Sequence, residues 1–386
     1  MPLAKKLGFS LVASAVAGVV LLGVGELYVR LTKEHLDLRV LTGQKAGADE
    51  MAEWAKVDAF CAYRGRPGRY PVADNIVKTV NSDGFISTPE LGHAKEPGEV
   101  RIAFLGGSST DGSGHLLGDR QTWPWKVVDI LRSKSPGRKV TFLNCAAAGY
   151  SSFESYGRLW SRVRFYNPDI VVVYHGWNEM YYFSDIALAH RWRVLWDGGW
   201  GFDFVTNTVV KPMWFDPVLQ YSQTLIRVRR RLGRIDSGER GRAVAAGLQQ
   251  DFDQRALEVW RTNLRLLAQV SEMIHAKLFV CKQATLVVPN LPKELRAKCH
   301  YEYHGFGHDA HVAAFSGIYR IIDEEIPAER IIDVTPLSGR PELFFDHIHP
   351  KETGTSAIAE IVAEALLKVL NEGGEGGASQ DQPPTR

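Results

Sequence analysis

Two short segments, far apart in the chain, carry residue types that together could do chemistry. Gly106-Gly107-Ser108-Ser109 follows the apolar run Ile102–Leu105, and Asp346-His347-Ile348-His349 stands just ahead of a strongly periodic stretch. A serine hydroxyl is a weak nucleophile until a base takes its proton, and an imidazole works best when a third group fixes its orientation. Ser108, His349 and Asp346 supply those three types, and the i, i+3 spacing lets carboxylate and imidazole reach one side of a loop. The chemistry to expect is attack on an ester carbonyl. Ser109 and Ser113 are rival nucleophiles, but Ser108 directly follows the glycine pair. His347 is the rival base, and the three-residue spacing from Asp346 favours His349. His175, ahead of Gly176 at a strand end, is a candidate pocket residue.

Elements that could position these residues are legible from Val100 onward. Short apolar runs at Ile102–Leu105, Val140–Leu143, Ile170–Tyr174, Leu278–Cys281 and Ile331–Val334 alternate with helical stretches at Trp125–Leu131, Phe153–Phe165 and Ala256–Ile274. Buried runs separated by helices predict an α/β fold: three layers, α/β/α, around a central parallel sheet of about five strands. Ile358, Ile361, Val362, Ala365, Leu366 and Val369 form an apolar stripe at helical period. Residues 372–386, rich in Gly, Gln and Pro, read as a disordered tail.

Two regions stand outside this rhythm. Residues 30–98 are mixed in polarity and rich in turn residues, and read as a stem that wraps the main domain of residues 99–371. Residues 181–250 interrupt the alternation with Trp192, Trp196, Trp200 and Trp214, then an arginine run from Arg227 to Arg234. An insertion after a strand's carboxyl end lies on the side where open α/β sheets bind ligands, so it is expected to cap the site. Its tryptophans serve equally as the cap's own core, and the arginines as a solvated helix face.

The 386 residues, 45% hydrophobic and 23% charged with a net charge of +2, fit a globular chain and give no reason to expect a nucleic-acid partner. Leu7–Gly25 is a 19-residue stretch without a charge, close to the roughly 20 residues that span a bilayer. It is longer than a signal-peptide core and has little polar face, so residues 1–29 read as an uncleaved single-pass membrane anchor. Lys5 and Lys6 before it and Arg30, Lys33 and Arg39 after it leave the orientation undecided. The four cysteines show no metal spacing, and a Cys61–Cys299 disulfide is left open. No other cluster has metal-ligand spacing, and the chemistry needs no cofactor.

Four blocks in fixed order resemble the SGNH, or GDSL-type, hydrolase superfamily. Gly106-Gly107-Ser108 stands where that family has Gly-Asp-Ser, Gly149 matches its lone glycine, Gly176-Trp177-Asn178-Glu179 its Gly-x-Asn-Asp, and Asp346 with His349 its Asp-x-x-His. The likeness covers about residues 100 to 370 and implies a flavodoxin-like fold with Ser108 as nucleophile, His349 as base and Asp346 as its orienting partner. The Ser108 and Gly149 amides and the Asn178 side chain would form an oxyanion hole. Gly149, without a Cβ, would let the backbone approach the substrate. Gly107, Trp177, His175, Trp192 and Trp196 are the expected substrate contacts. Gly107 and Glu179 each replace a family aspartate, and altered turn geometry is expected there.

Tryptophans over such a site suit sugar faces, and an anchored member suits envelope polysaccharides. Removal of O-acetyl groups from a carbohydrate, by a domain on the periplasmic side, is the expected activity. A lipase or lysophospholipase, and an acyltransferase to a sugar hydroxyl, are the alternatives. A non-catalytic binding module would not require Ser108, Asp346, His349 and Asn178 together.

Overall fold

A computed structural model describes residues 3–33, 35, 55–58, 60–73, 76–112, 117–183, 214–236 and 248–375. The chain divides into two compact units, residues 53–193 with 247–386, and residues 1–52 with 194–246. Trp192, Trp196 and Trp200 of the expected cap, and Ser113, lie outside the described residues.

In chain order the elements are α1 (Leu3–Thr32), β1 (Ala55–Asp58), β2 (Ala62–Gly65), β3 (Gly68–Ala73), β4 (Ile76–Val80), β5 (Val100–Gly106), α2 (Ser108–Asp111), α3 (Trp123–Lys134), β6 (Val140–Asn144), α4 (Ser152–Ser161) and β7 (Ile170–His175). They continue with α5 (Asp216–Leu219), α6 (Gln223–Asp236), α7 (Ala256–Met273), β8 (Lys277–Lys282), α8 (Lys293–Arg296), α9 (His308–Glu325), β9 (Ile331–Asp333) and α10 (Glu352–Glu375). The five expected strands are all present. α10 runs on to Glu375, into the stretch expected as tail.

The larger unit is built on one parallel sheet in the order β6-β5-β7-β8-β9. Its inner strands β5 and β7 are largely apolar because both faces are covered: every residue of β7 and all but the first of β5 are buried. On one face Ile102, Phe104 and Phe142 pack with Trp123 and Val127 of α3 and Ile358 and Val362 of α10. On the other, α7 packs against α4, α9 and β8. The chain passes from β5 outward to β6, then back across β5 to β7. That reversal opens a crevice between the carboxyl ends of β5 and β7, where this kind of sheet binds ligands.

The residues expected as a stem form two antiparallel hairpins, β1–β2 and β3–β4. They hold to the sheet unit through polar contacts: Arg158 donates to the Gly84 carbonyl at 2.6 Å, Lys78 to the Asp111 carbonyl at 2.7 Å, and the Asn144 amide to Thr88 Oγ1 at 2.8 Å. All four cysteines are buried and free, so Cys61 and Cys299 are not bridged.

In the smaller unit Glu26 of α1 accepts from Ser222 Oγ at 2.7 Å and from the Gln223 and Thr224 amides at 2.8 and 2.9 Å. A side chain from one helix thus caps the N-terminus of another, satisfying amides that α6 itself cannot. Arg30 donates to Glu26 and to the Tyr221 carbonyl, each at 2.7 Å. Among the described residues no helix is long and apolar enough to cross a membrane. The structure therefore does not supply the transmembrane helix expected at Leu7–Gly25: α1 forms there, but its last two turns carry Glu26, which caps α6, and Arg30, tied to Glu26 and to the Tyr221 carbonyl ahead of α6.

The seat of the first hairpin is tight enough to test. A Cβ on Gly157 of α4 would lie 1.8 Å from the Phe60 carbonyl oxygen, a backbone atom that cannot swing aside. Gly157→Ala is expected to cost at least about 1–3 kcal/mol, the usual range for overpacking, seen as a lower melting temperature. An unchanged melting temperature would mean the hairpin is not seated on α4.

Candidate active site

Gly106 ends β5 and Gly107 begins the turn into α2, so Ser108 is the first residue of that short helix. Its hydroxyl stands half-buried at the mouth of the crevice. A Cβ on Gly107 would lie 2.5 Å from Asn178 Nδ2 and 3.2 Å from the Tyr150 carbonyl, so any other residue would displace the Asn178 amide.

The loop ahead of α10 brings the base to it. His349 Nε2 lies 2.7 Å from Ser108 Oγ, and His349 Nδ1 lies 2.7 Å from Asp346 Oδ2. The second carboxylate oxygen, Oδ1, accepts from the Ile348 and His349 amides, both at 2.9 Å. The same loop is held from outside, since Leu286 N and Thr285 Oγ1 donate to the His347 carbonyl at 2.9 and 2.8 Å. Ser109 Oγ donates to the Ile348 carbonyl at 3.2 Å, tying the serine turn to the histidine loop directly. An Nδ1–H donated to Asp346 leaves Nε2 as the acceptor that a serine proton needs.

The rival base is placed elsewhere. His347 is buried with its ring 3.8 Å from that of Trp177, and burial pushes its pKa down to about 3. Ser109 is the buried tether just described. His300, Asp346 and His347 could bring three ligand atoms within 4.8 Å of one another, but Asp346 already spends both oxygens on the loop and on His349.

Of the expected oxyanion donors, Ser108 and Asn178 line one cavity at the ends of β5 and β7, while Gly149 lies in the segment after β6, next to Tyr150. Among the described residues the Ser108 and Gly149 amides have no partner within the protein. Asn178 spends one amide proton on the Tyr150 carbonyl at 2.8 Å and keeps the other. Glycine at 149 also has a backbone reason. Nothing lies within 4 Å of a Cβ there, but its φ of +74° is a left-handed conformation that disfavours other residues.

Trp177 and His175 reach the site only in part. Both are buried, and both line a cavity of about 10 Å³ with Gly107, Ser108, Asn178 and Gln283, room for about one water molecule. His175 Nε2 shares a hydrogen with Ser155 Oγ at 2.8 Å, and burial pushes its pKa down to about 3. Trp177 is wedged among His347, His304 and His311, with ring separations of 3.8, 4.4 and 5.1 Å. That histidine-rich wall gave no signal in the sequence. Gln283 was also missed, although it directly follows β8 on the ligand side of the sheet. Its Oε1 accepts from the Trp177 amide at 2.8 Å.

Glu179, where the family has aspartate, turns away from the crevice. It accepts from the Ser152 amide and hydroxyl, both at 2.7 Å, at the start of α4. Beside it Glu154 accepts from the Ser151 amide at 2.7 Å. Burial raises both carboxyls, Glu179 to about 7 and Glu154 to about 8.

No protein-family model matches the chain, and no curated protein does. Among solved structures it is similar to an alpha/beta hydrolase enzyme from the metagenome of Lake Arreo, Spain, at 16% identity over 69% of this chain and 94% of that one, with a TM-score of 0.40. A GDSL-like lipase from Bacteroides thetaiotaomicron is 13% identical over 72% and 93%, with a TM-score of 0.38. An acetylxylan esterase from Geobacillus stearothermophilus is 15% identical over 70% and 93%, with a TM-score of 0.38. What the site can do rests on its own geometry.

The raised carboxyls give the folded state a pH dependence. A glutamate whose folded pKa stands above its unfolded 4.5 adds stability that is full below 4.5 and lost as pH rises through 7 for Glu179 and 8 for Glu154. Glu179→Gln keeps an oxygen for Ser152 and removes the titration. In urea unfolding at pH 5.5 and 7.5, the wild type should lose more stability across the interval than this variant. Equal losses would show that Glu179 is already ionised at the lower pH.

Proposed function

We propose that this chain is a serine esterase that cleaves short acyl groups, most directly acetyl, from a hydroxyl-bearing substrate. One observation carries the reading: the continuous path from Asp346 Oδ2 through His349 to Ser108 Oγ, each contact 2.7 Å. The order of the four sequence blocks supports it.

In this reading Ser108 Oγ attacks the ester carbonyl as its proton passes to His349 Nε2. Asp346 holds the imidazolium that forms and keeps Nδ1 protonated. The carbonyl oxygen, now an anion, meets the Ser108 and Gly149 amides and the remaining Asn178 N–H, donors fixed before the reaction begins. The alcohol leaves with the proton from His349. A water then gives its proton to the same nitrogen and attacks the acyl-serine, which restores Ser108 and releases the acid.

The choice of acetyl follows the sequence reading of an O-acetylated carbohydrate as substrate. A carbohydrate as the alcohol is part of the same proposal, supported by the expected tryptophan contacts at 192 and 196. The alternative, a lipid ester, is favoured by the exposed apolar side chains of α1, such as Leu21, Leu22, Val24 and Leu31. Those side chains also support attachment of the chain to a membrane through α1.

With p-nitrophenyl acetate as substrate, Ser108→Ala should abolish turnover at an unchanged melting temperature. Asn178→Ala should lower kcat by about 10²–10³. A fully active Ser108→Ala enzyme would end the assignment. Across p-nitrophenyl esters from acetate to palmitate, kcat/KM should be greatest at acetate. A maximum at long chains would transfer the proposal to lipid esters.

A further inference from the structure

The segment from Trp214 to Asp236 belongs to the smaller unit, and it is built in a way that asks for a partner. Trp214, Val218, Tyr221, Leu225 and Val228 recur at steps of four and three residues. All are exposed, Trp214 by 88%, Tyr221 by 76% and Val218 by 71%. This is not a loose apolar run. α6 buries Ile226, its N-terminus is fixed by Glu26, and Arg229 donates to Asp216 at 2.9 Å across the turn from α5. Glu26, Asp216 and Arg229 are paired within the unit, while these five apolar side chains are left outward. An apolar stripe held in that posture marks a contact surface.

Its composition selects the occupant. α6 carries five arginines against one aspartate, an excess that fits an anionic surface. Trp and Tyr are the aromatic residues that settle at the boundary between lipid and water. A strongly amphipathic helix of low overall hydrophobicity, rich in arginine, is the kind that lies in that boundary plane rather than crossing it.

We propose that Trp214–Asp236 lies on an anionic lipid surface as a second membrane contact. The proposal extends the membrane reading of α1 but rests on other residues. Trp214 and Tyr221 would seat at the headgroup level, Val218, Leu225 and Val228 would enter the acyl region, and the arginines would meet lipid phosphates. The excess of arginine over acidic residues in the α6 sequence favours lipid phosphates over a protein partner.

The test uses the full chain with vesicles of phosphatidylglycerol and phosphatidylcholine whose acyl chains carry bromine, which quenches tryptophan on contact. Wild-type emission should be quenched by a larger fraction than that of Trp214→Phe, and Val218→Asp should remove the difference. Raising the salt, or omitting phosphatidylglycerol, should reduce it. Equal quenching of wild type and Trp214→Phe in a chain that floats with vesicles overturns this proposal and leaves attachment through α1 standing. Flotation only with anionic vesicles, reversed by salt and accompanied by Trp214 quenching, upholds the proposal and removes the anchor. A chain that never floats overturns both.

Discussion

The Asp346 carboxylate is used from both of its oxygens, and the site depends on that division. Oδ1 gathers the Ile348 and His349 amides and so bends the loop. Oδ2 meets His349 Nδ1 and so sets the tautomer. One side chain therefore shapes the backbone that carries the base and orients the base itself. A loop held only by amides would leave the imidazole free to rotate, and one held only by the imidazole would leave its backbone loose. The buried His347 carbonyl and the Ser109 tether then fix where that loop stands relative to the serine turn.

Side chains 241 positions apart meet at 2.7 Å because two helices impose the distance. α3 follows the serine turn and α10 follows the histidine loop, and both lie on the same face of the sheet, where they share one buried cluster. Their starts are also cross-linked. Lys126 donates to the Glu352 carbonyl at 3.1 Å and to Ser356 Oγ at 2.8 Å, and Gln121 donates to Glu352 at 3.0 Å. The packing of the helix pair sets their relative depth, and the polar contacts set their register along the axis. The Ser108–His349 contact inherits both, which is why two loops can hold a short hydrogen bond without a covalent link.

The sheet was legible in the sequence because its strands are buried on both faces and so read as unbroken apolar runs. Ser108, Asn178 and His349 were legible because each sits where a run stops or a periodic helix begins. The hairpins β1–β4 were not. Pro71 stands inside β3, and Arg69 and Lys78 face each other's neighbours across the pair, so no alternation marks them. They and the loop after β4 are held by Arg158, Asp111 and Asn144, residues that become neighbours only after the sheet has formed. The wall of His304, His311 and His347 around Trp177 was hidden for the same reason. Gln283 differs, because the rule that located Ser108 and Asn178 also covers the end of β8.

The two departures from the family pattern answer one another. At position 107 the missing Cβ leaves the space that Asn178 Nδ2 occupies, 2.5 Å from where that carbon would be. An aspartate there would have to move the Asn178 amide. Asn178 must therefore be held by something other than a residue at 107, and the Tyr150 carbonyl holds it at 2.8 Å. The next residue takes up the support from behind. Glu179 has one methylene more than aspartate and uses it to reach Ser152, the first residue of the helix that follows Tyr150. The turn after β7 and the segment after β6 are thereby joined twice, by Asn178 to Tyr150 and by Glu179 to Ser152. A glycine that removes one constraint and a glutamate that adds another leave the Asn178 amide facing the serine turn.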